Sequence, residues 1–329
     1  MKEGRHFVWI LDDEWNNHEL EKNIYKQHGF DVQITRSENL ERDLPLYAPY
    51  ADGVVAQVGF SCGAEIINQL QSCKVISVTG IGYNHVDLEA AAQRGIVVSN
   101  VPDYCLEEVS NHTIALILGV TRRLSSYNQK VRAGKWDPMD TLPIRRLSEN
   151  TIGLLGFGRI ARMVTEKLKP FGVRVVAHDQ YVPAEVFDTY GVIPVSLDEL
   201  LQQSDILSLH VPLTPETKHL LHYERLKMLP KGAFVINTCR GGVINENDLK
   251  TLIEEGHIAG AGLDVLEEEP PSPDYPLLMM EEVFITPHAS YMSEESLTQL
   301  RERACQAIID GVQGNPLPYA VNQPKVKVE

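Results

Sequence analysis

Three short stretches of this chain carry side chains suited to acid–base and anion chemistry, and each follows an apolar, strand-like run. In Asn237-Thr238-Cys239-Arg240-Gly241-Gly242 an arginine stands at a strand end and two glycines follow it. A planar guanidinium can grip a carboxylate with two parallel hydrogen bonds, and its permanent charge polarises a neighbouring carbonyl. On spacing alone, a surface arginine beside a helix start fits equally well. In Gly262-Leu263-Asp264-Val265-Leu266-Glu267-Glu268-Glu269-Pro270 the acids are dense enough to suggest a solvated loop. Asp264, however, ends an apolar strand, and Pro270 confines the backbone of Glu269 to extended conformations. In Ile285-Thr286-Pro287-His288-Ala289-Ser290 a histidine sits at the end of the last strand-like run. A lone histidine is more often structural than catalytic. This one alone lies at a strand terminus late enough in the sheet to face Arg240.

A fourth stretch says what these groups would act with. Thr151–Asp179 reads TIGLLGFGRIARMVTEKLKPFGVRVVAHD: an apolar strand, then Gly156-Phe157-Gly158-Arg159-Ile160-Ala161, a helix, a second strand and a terminal acid. That order is a dinucleotide-binding βαβ unit. Gly156 permits the tight turn, Gly158 lets backbone approach a pyrophosphate, and small Ala161 lets the helix pack close to its strand. The helix N-terminus faces the phosphates. Asp179, 18 residues after Ala161 (179 − 161), would accept the ribose hydroxyls and repel a 2′-phosphate, which favours NAD over NADP. Another α/β protein could carry a glycine-rich turn here, but Asp179 would then have no role.

These parts combine into one chemistry. Hydride transfer to a 2-keto acid leaves a developing alkoxide that needs a proton and a nearby positive charge. His288 would act as general acid. Glu269, bonded to its other ring nitrogen, would hold the imidazole and raise its pKa. Arg240 would bind the carboxylate and the carbonyl oxygen, and Asp264 would reach the nicotinamide ring.

The elements that position these groups follow from strand and helix patterns alternating along the chain, which predict parallel sheets covered on both faces. The first hundred residues have strands at Phe7–Leu11, Val32–Ile34, Gly53–Ala56, Lys74–Val78 and Ile96–Ser99, and helices through Leu20–His28, Ala64–Leu70 and Asp87–Gln93. One long helix is expected over Leu106–Arg132, then an irregular connector over Gly134–Glu149. The second sheet should hold about six strands, ending at Val283–Thr286, and helix Glu294–Gly314 should return to the first domain. The expected fold is therefore α/β with two doubly wound parallel-sheet domains, a Rossmann NAD-binding domain over residues 103–289 and a smaller flavodoxin-like substrate domain over 1–102 and 290–329, with a cleft between them.

Composition narrows the partners. Thirty basic against 45 acidic residues give a net charge of −15, and no Lys/Arg cluster could track a nucleic-acid backbone. No apolar run approaches the roughly 18 residues of a membrane span, and the N-terminus lacks a secretory pattern. Five scattered cysteines with no C-x-x-C suggest reduced thiols and a cytoplasmic setting. His219-x-x-His222 lacks neighbours that would complete a metal site, so no metal is expected.

The chain resembles the D-isomer-specific 2-hydroxyacid dehydrogenases, most closely the branch that contains the C-terminal-binding proteins. The resemblance rests on TGIGYNHVDLEAAAQRGIVVSNVP (Thr79–Pro102), IGLLGFGRIA (Ile152–Ala161), LHVPLTPETKHLL (Leu209–Leu221), NTCRGGVINENDL (Asn237–Leu249), AGLDVLEEEPP (Ala261–Pro271) and TPHASYMSEES (Thr286–Ser296). It implies a catalytic set of Arg240, Glu269 and His288. It also implies an NAD site lined by Gly156, Phe157, Gly158, Arg159, Ile160, Asp179, Val211, Pro212, Thr217, Thr238, Cys239, Arg240, Asp264 and His288, with Thr113 of the long helix reaching the cofactor. Backbone amides of Val58, Gly59 and Gly82 would hold the substrate carboxylate, beside Arg240 and His288. A homodimer through the helix after Pro102 is implied too. Ala161 replaces the third glycine of the nucleotide turn, and Tyr291-Met292 stands where the C-terminal-binding branch often has a tryptophan. With no Arg or Lys in Val58-Gly59-Phe60 and no regulatory domain expected after residue 329, a phosphorylated substrate is disfavoured. The reading is an NAD-dependent oxidoreductase of a small D-2-hydroxy acid or 2-keto acid. The alternative is an NAD(H)-sensing binding protein of the C-terminal-binding type with little turnover.

Overall fold

The computed structural model describes residues 5–140 and 143–324. The chain forms two compact units, one running to Tyr104 and resuming at Ser293, the other spanning Cys105–Met292.

The first unit alternates β1 (His6–Leu11), α1 (Glu19–Gln27), β2 (Phe30–Thr35), α2 (Leu40–Tyr47), β3 (Gly53–Gln57), α3 (Ala64–Ile67), β4 (Val75–Thr79), α4 (Leu88–Gln93) and β5 (Val97–Ser99). Its five strands are all parallel in the order β2-β1-β3-β4-β5. The central strands are apolar on both faces because helices cover both, so β3 and β4 are buried along their whole length. The last helix, Glu294–Gln313, packs onto this sheet so closely that a Cβ on Gly311 would meet Val75 at 2.7 Å and one on Gly53 would meet Ile308 at 2.8 Å. Helix α2 carries the buried Asp43, which accepts a 2.8 Å hydrogen bond from the Thr35 hydroxyl, itself accepting from the indole of Trp9. The helix's apolar positions Leu40, Leu44 and Tyr47 pack on the core of this unit, but the intervening charges and Pro45 mask that stripe in the sequence LERDLPLY.

The second unit runs α5 (Leu106–Thr121), α6 (Leu124–Arg132), β6 (Thr151–Leu155), α7 (Arg159–Leu168), β7 (Arg174–His178), α8 (Ala184–Tyr190), β8 (Ile193–Pro194), α9 (Leu197–Gln203), β9 (Ile206–Leu209), α10 (Tyr223–Lys227), β10 (Ala233–Asn237), α11 (Glu246–Glu254), β11 (Ile258–Leu263) and β12 (Val283–Ile285). Its strands, all parallel, lie in the order β12-β11-β10-β9-β6-β7-β8. The order reverses between β6 and β9, the switch point where doubly wound sheets open a crevice. Among the described residues seven strands are present where about six were expected. The extra one, β8, is a two-residue edge strand with both residues exposed, so no apolar run announced it.

The single long helix expected over Leu106–Arg132 is two helices. Arg123 takes a left-handed conformation (φ 55°) between them. Its Nη1 donates to the carbonyl of Ala259 at 2.9 Å and its guanidinium lies over the Phe234 ring, 5.2 Å from the centroid. These tertiary contacts outweigh continuous helix propensity. α5 covers the sheet where glycines allow it: a Cβ on Gly119 would meet Phe284 at 2.8 Å, and one on Gly262 would meet Leu116 at 3.0 Å. Among the described residues no helix is long and apolar enough to cross a membrane.

Candidate active site and nucleotide turn

The carboxyl ends of β10, β11 and β12 in the second unit bring Arg240, Glu269 and His288 to one edge. His288 Nδ1 lies 2.7 Å from Glu269 Oε2, with both side chains about one-third exposed (32% and 36%). A carboxylate only accepts, so Nδ1 carries the hydrogen in this contact, and Nε2 takes no part in it. Glu269 also accepts the amide of Leu266 at 2.8 Å. Burial raises its carboxyl, but the His288 hydrogen bond and charge, the Leu266 amide and the charge of Arg240 outweigh it and hold the group below the ordinary carboxylate value.

Gly241 explains why Arg240 reaches this pair. A Cβ there would lie 1.9 Å from the carbonyl carbon of Leu266 and 2.3 Å from the amide nitrogen of Glu267, so only glycine lets the two loops touch. Asn237 steadies the turn, donating to the Arg240 carbonyl at 2.9 Å and accepting from the Cys239 amide at 3.0 Å. Arg240 Nη1 itself donates to the Cys239 carbonyl at 2.6 Å. Burial pushes the Cys239 thiol up to about 11, which makes it a poor nucleophile. Behind the Glu269 loop, Glu246 and Glu267 exchange carboxylate-to-amide hydrogen bonds (2.9 and 3.1 Å), and His219 Nε2 lies 2.9 Å from Glu267.

Two residues expected at the cofactor are already engaged by the protein. Asp264 is 1% exposed. Its Oδ1 accepts from Thr286 Oγ1 (2.5 Å) and the Ala289 amide (2.9 Å), and its Oδ2 from the Ser290 amide (2.9 Å). Thr113 is fully buried, its hydroxyl donating to the Val109 carbonyl and lying 3.0 Å from Thr238 Oγ1. Both brace the loops that carry His288 and Arg240.

The nucleotide turn forms between β6 and α7. Gly156 has φ +92° and its Cα faces the His210 carbonyl, where a Cβ would come within 2.6 Å, so this position requires glycine. Gly158 caps α7 and nothing lies within 4 Å of its Cβ position, which leaves a ligand free access to the backbone. Arg159 is exposed and Ile160 half-buried. Asp179, half-buried at the end of β7, accepts the amides of Phe157 (2.8 Å) and Tyr181 (2.9 Å). The Phe157 side chain does not line the turn: it is fully buried and stacks on Phe187 at 4.7 Å. The turn after β9 is closed by Thr217, whose hydroxyl donates to the Pro212 carbonyl at 2.6 Å and accepts the Thr214 amide at 2.7 Å, with Val211 packed below. A glycine that tolerates no Cβ, a second open to ligand, and a carboxylate at the next strand end suit a dinucleotide.

In the first unit, a Cβ on Gly80 would meet Val58 at 2.6 Å, so the loops after β3 and β4 that carry Val58, Gly59 and Gly82 abut. The Gly59 amide, expected to hold a carboxylate, here donates to Gln57 Oε1 at 2.7 Å, and Gln57 Nε2 in turn donates to Glu14. Gln57, His112 and Asn237 were not singled out in the sequence. Asn237 and Gln57 bond to backbone two or three residues along the chain, a local turn pattern, whereas only the fold gives His112 its partner Thr286.

Residues 114–290, more than half of the chain, match the family described as "D-isomer specific 2-hydroxyacid dehydrogenase, NAD binding domain". The chain is 36% identical over 281 residues to a glyoxylate reductase of Korarchaeum cryptofilum, covering 84% of each protein. It is 34% identical over 297 residues to a D-3-phosphoglycerate dehydrogenase of Methanocaldococcus jannaschii, with 90% of this chain but only 55% of that protein aligned, so it spans about half the length of that relative. Among solved structures it is similar to an Aquifex aeolicus D-lactate dehydrogenase in complex with NAD and lactic acid, with a TM-score of 0.84 and 29% identity over 94% of this chain and 96% of that one. The chain belongs to the D-isomer-specific 2-hydroxyacid dehydrogenase family.

Proposed function

We propose that the chain is an NAD-dependent oxidoreductase acting between a small 2-keto acid and its D-2-hydroxy acid. The observation that carries this is the 2.7 Å His288–Glu269 contact beside the charge of Arg240, in the unit that also forms the glycine turn. A bound nicotinamide supplies the hydride. His288 Nε2 gives its proton to the carbonyl oxygen as that oxygen becomes an alkoxide, and in the reverse direction takes it back. Glu269 fixes the ring through Nδ1 and balances its charge. Arg240 binds the substrate carboxylate and stabilises the developing oxyanion, after its guanidinium leaves the Cys239 carbonyl. Within the first unit, the amides of Val58, Gly59 and Gly82 are suited to bind a carboxylate, with Gly59 exchanging Gln57 for the ligand. Residues 103–289 serve as the dinucleotide-binding domain, and 1–102 with 290–329 as the substrate domain.

Asp179 supports NADH over NADPH, because its carboxylate repels a 2′-phosphate. We further propose a cytoplasmic homodimer. The helix after Pro102 is largely covered by its own sheet, and the exposed apolar side chains nearest in sequence are Leu124, Val131, Trp136 and Met139. The test is a panel of 2-keto acids (glyoxylate, pyruvate, hydroxypyruvate, branched and aromatic) followed by NADH and NADPH oxidation. Turnover with NADH is expected, with His288→Ala lowering kcat by roughly 10²–10⁴ at little cost to NADH affinity. Tight NADH binding without turnover on any acid would overturn the enzyme reading.

A further inference from the structure

We infer that His112 is a positioning residue that sets His288 through Thr286 and Asp264. The inference rests on the catalytic reading of His288. His112 Nε2 lies 2.9 Å from Thr286 Oγ1, and Thr286 Oγ1 lies 2.5 Å from Asp264 Oδ1. A carboxylate can only accept, so the threonine hydrogen points at Asp264, and the hydroxyl oxygen must accept from His112. The relay is therefore directional: His112 Nε2–H to Thr286, Thr286 to Asp264. Asp264 then binds the catalytic loop at three successive backbone amides. Its carbonyl accepts from His288 (2.8 Å) and its carboxylate from Ala289 and Ser290 (2.9 Å each). His288 needs this, because its backbone is left-handed (φ 51°), a conformation that persists only when surrounding contacts over-determine it.

The neighbouring residue does the same for the other loop. Thr113 pairs with Thr238 at 3.0 Å, two residues before Arg240, just as His112 pairs with Thr286, two residues before His288. Two consecutive residues of α5 thus grip both loops, and the helix sets the separation of guanidinium and imidazole. A histidine that merely fills a core has no need of a donor at Nε2, which is what separates the two roles.

The test compares His112→Leu and Thr286→Val with the donor-retaining His112→Gln and Thr286→Ser, each measured for kcat, keto-acid KM, NADH Kd and thermal unfolding. His288→Gln is carried alongside. His112→Leu and Thr286→Val should lower kcat by about 10²-fold, the cost of misplacing a catalytic group by about 1 Å, with NADH Kd unchanged. His112→Gln and Thr286→Ser should recover most of the rate. His112 is 23% exposed, so its variants should fold and decide the matter if Thr286→Val does not. If His288→Gln is inactive while His112→Leu turns over like wild type, the relay fails and the catalytic reading stands. If His112→Gln is as slow as His112→Leu although both bind NADH, the donor role fails. If His288→Gln keeps full kcat, the catalytic reading fails and takes the relay with it.

Discussion

Gly241→Ala tests whether the loop contact behind Arg240 holds the site together. The new Cβ would lie 1.9 Å from the Leu266 carbonyl carbon, against the 3.4 Å at which ordinary contact begins. The obstructing atoms are backbone, so no side chain can swing aside, and the two loops must part by about 1.5 Å (3.4 − 1.9). Arg240 moves with one loop and Glu269 with the other. A misplacement of about 1 Å costs about 10²-fold in rate, so kcat should fall by at least that much. Overpacking of this kind costs about 1–3 kcal/mol, which for a unit of this size lowers Tm by roughly 2–12 °C. Steady-state kinetics with NADH and the best keto acid, together with scanning calorimetry, read both quantities. Wild-type kcat and Tm in Gly241→Ala would show that the loops yield without consequence and that the contact positions nothing.

Gly158→Ala should behave in the opposite way: its Cβ meets nothing within 4 Å, so Tm should hold, while NADH Kd should rise at least about tenfold, a loss of about 1.4 kcal/mol. Unchanged fluorescence titrations with NADH would remove this turn from the cofactor site. Glu269→Gln should lower kcat by roughly 10²–10⁴ with NADH Kd unchanged, because the His288 ring loses the carboxylate that fixes Nδ1; a wild-type kcat would refute the pairing. Acid should destabilise the fold in two windows. Desolvation pushes His210 down to about 4, so the unfolded chain binds its proton first and stability falls as pH drops from about 6.5 to about 4. Glu269, held below the ordinary carboxylate value of 4.5, contributes stability that is lost as pH falls below about 4.5. Urea midpoints across pH should therefore flatten in the first window for His210→Asn and in the second for Glu269→Gln, and a parallel shift at all pH values would contradict both.

The strand–turn–helix around Gly156 was legible because the conformations it needs are local: a positive φ at one glycine, an open backbone at another, an apolar strand on either side. Parallel sheets were legible for a similar reason, since strands such as β3 and β4 are apolar on both faces and alternate with amphipathic helices. Arg240, Glu269 and His288 could be singled out because each follows a strand, and strand ends in such sheets share one edge. What the chain order could not carry was any contact made by side chains far apart in sequence. Arg123 breaks a helix that propensity would continue, because Ala259 and Phe234 offer it better partners. The edge strand β8 exists only because β7 lies beside it. Asp264, read from its place at a strand end, and Thr113, named through the family resemblance, also hold loops by hydrogen bonds to distant residues, and His112 acquires meaning only from Thr286, 174 residues away. Local backbone preference and periodicity determine which elements form and where reactive groups emerge. Which hydrogen bond each of those groups then makes is a matter of packing, because an unpaired buried polar atom is costly and only the folded chain decides which partner is within reach.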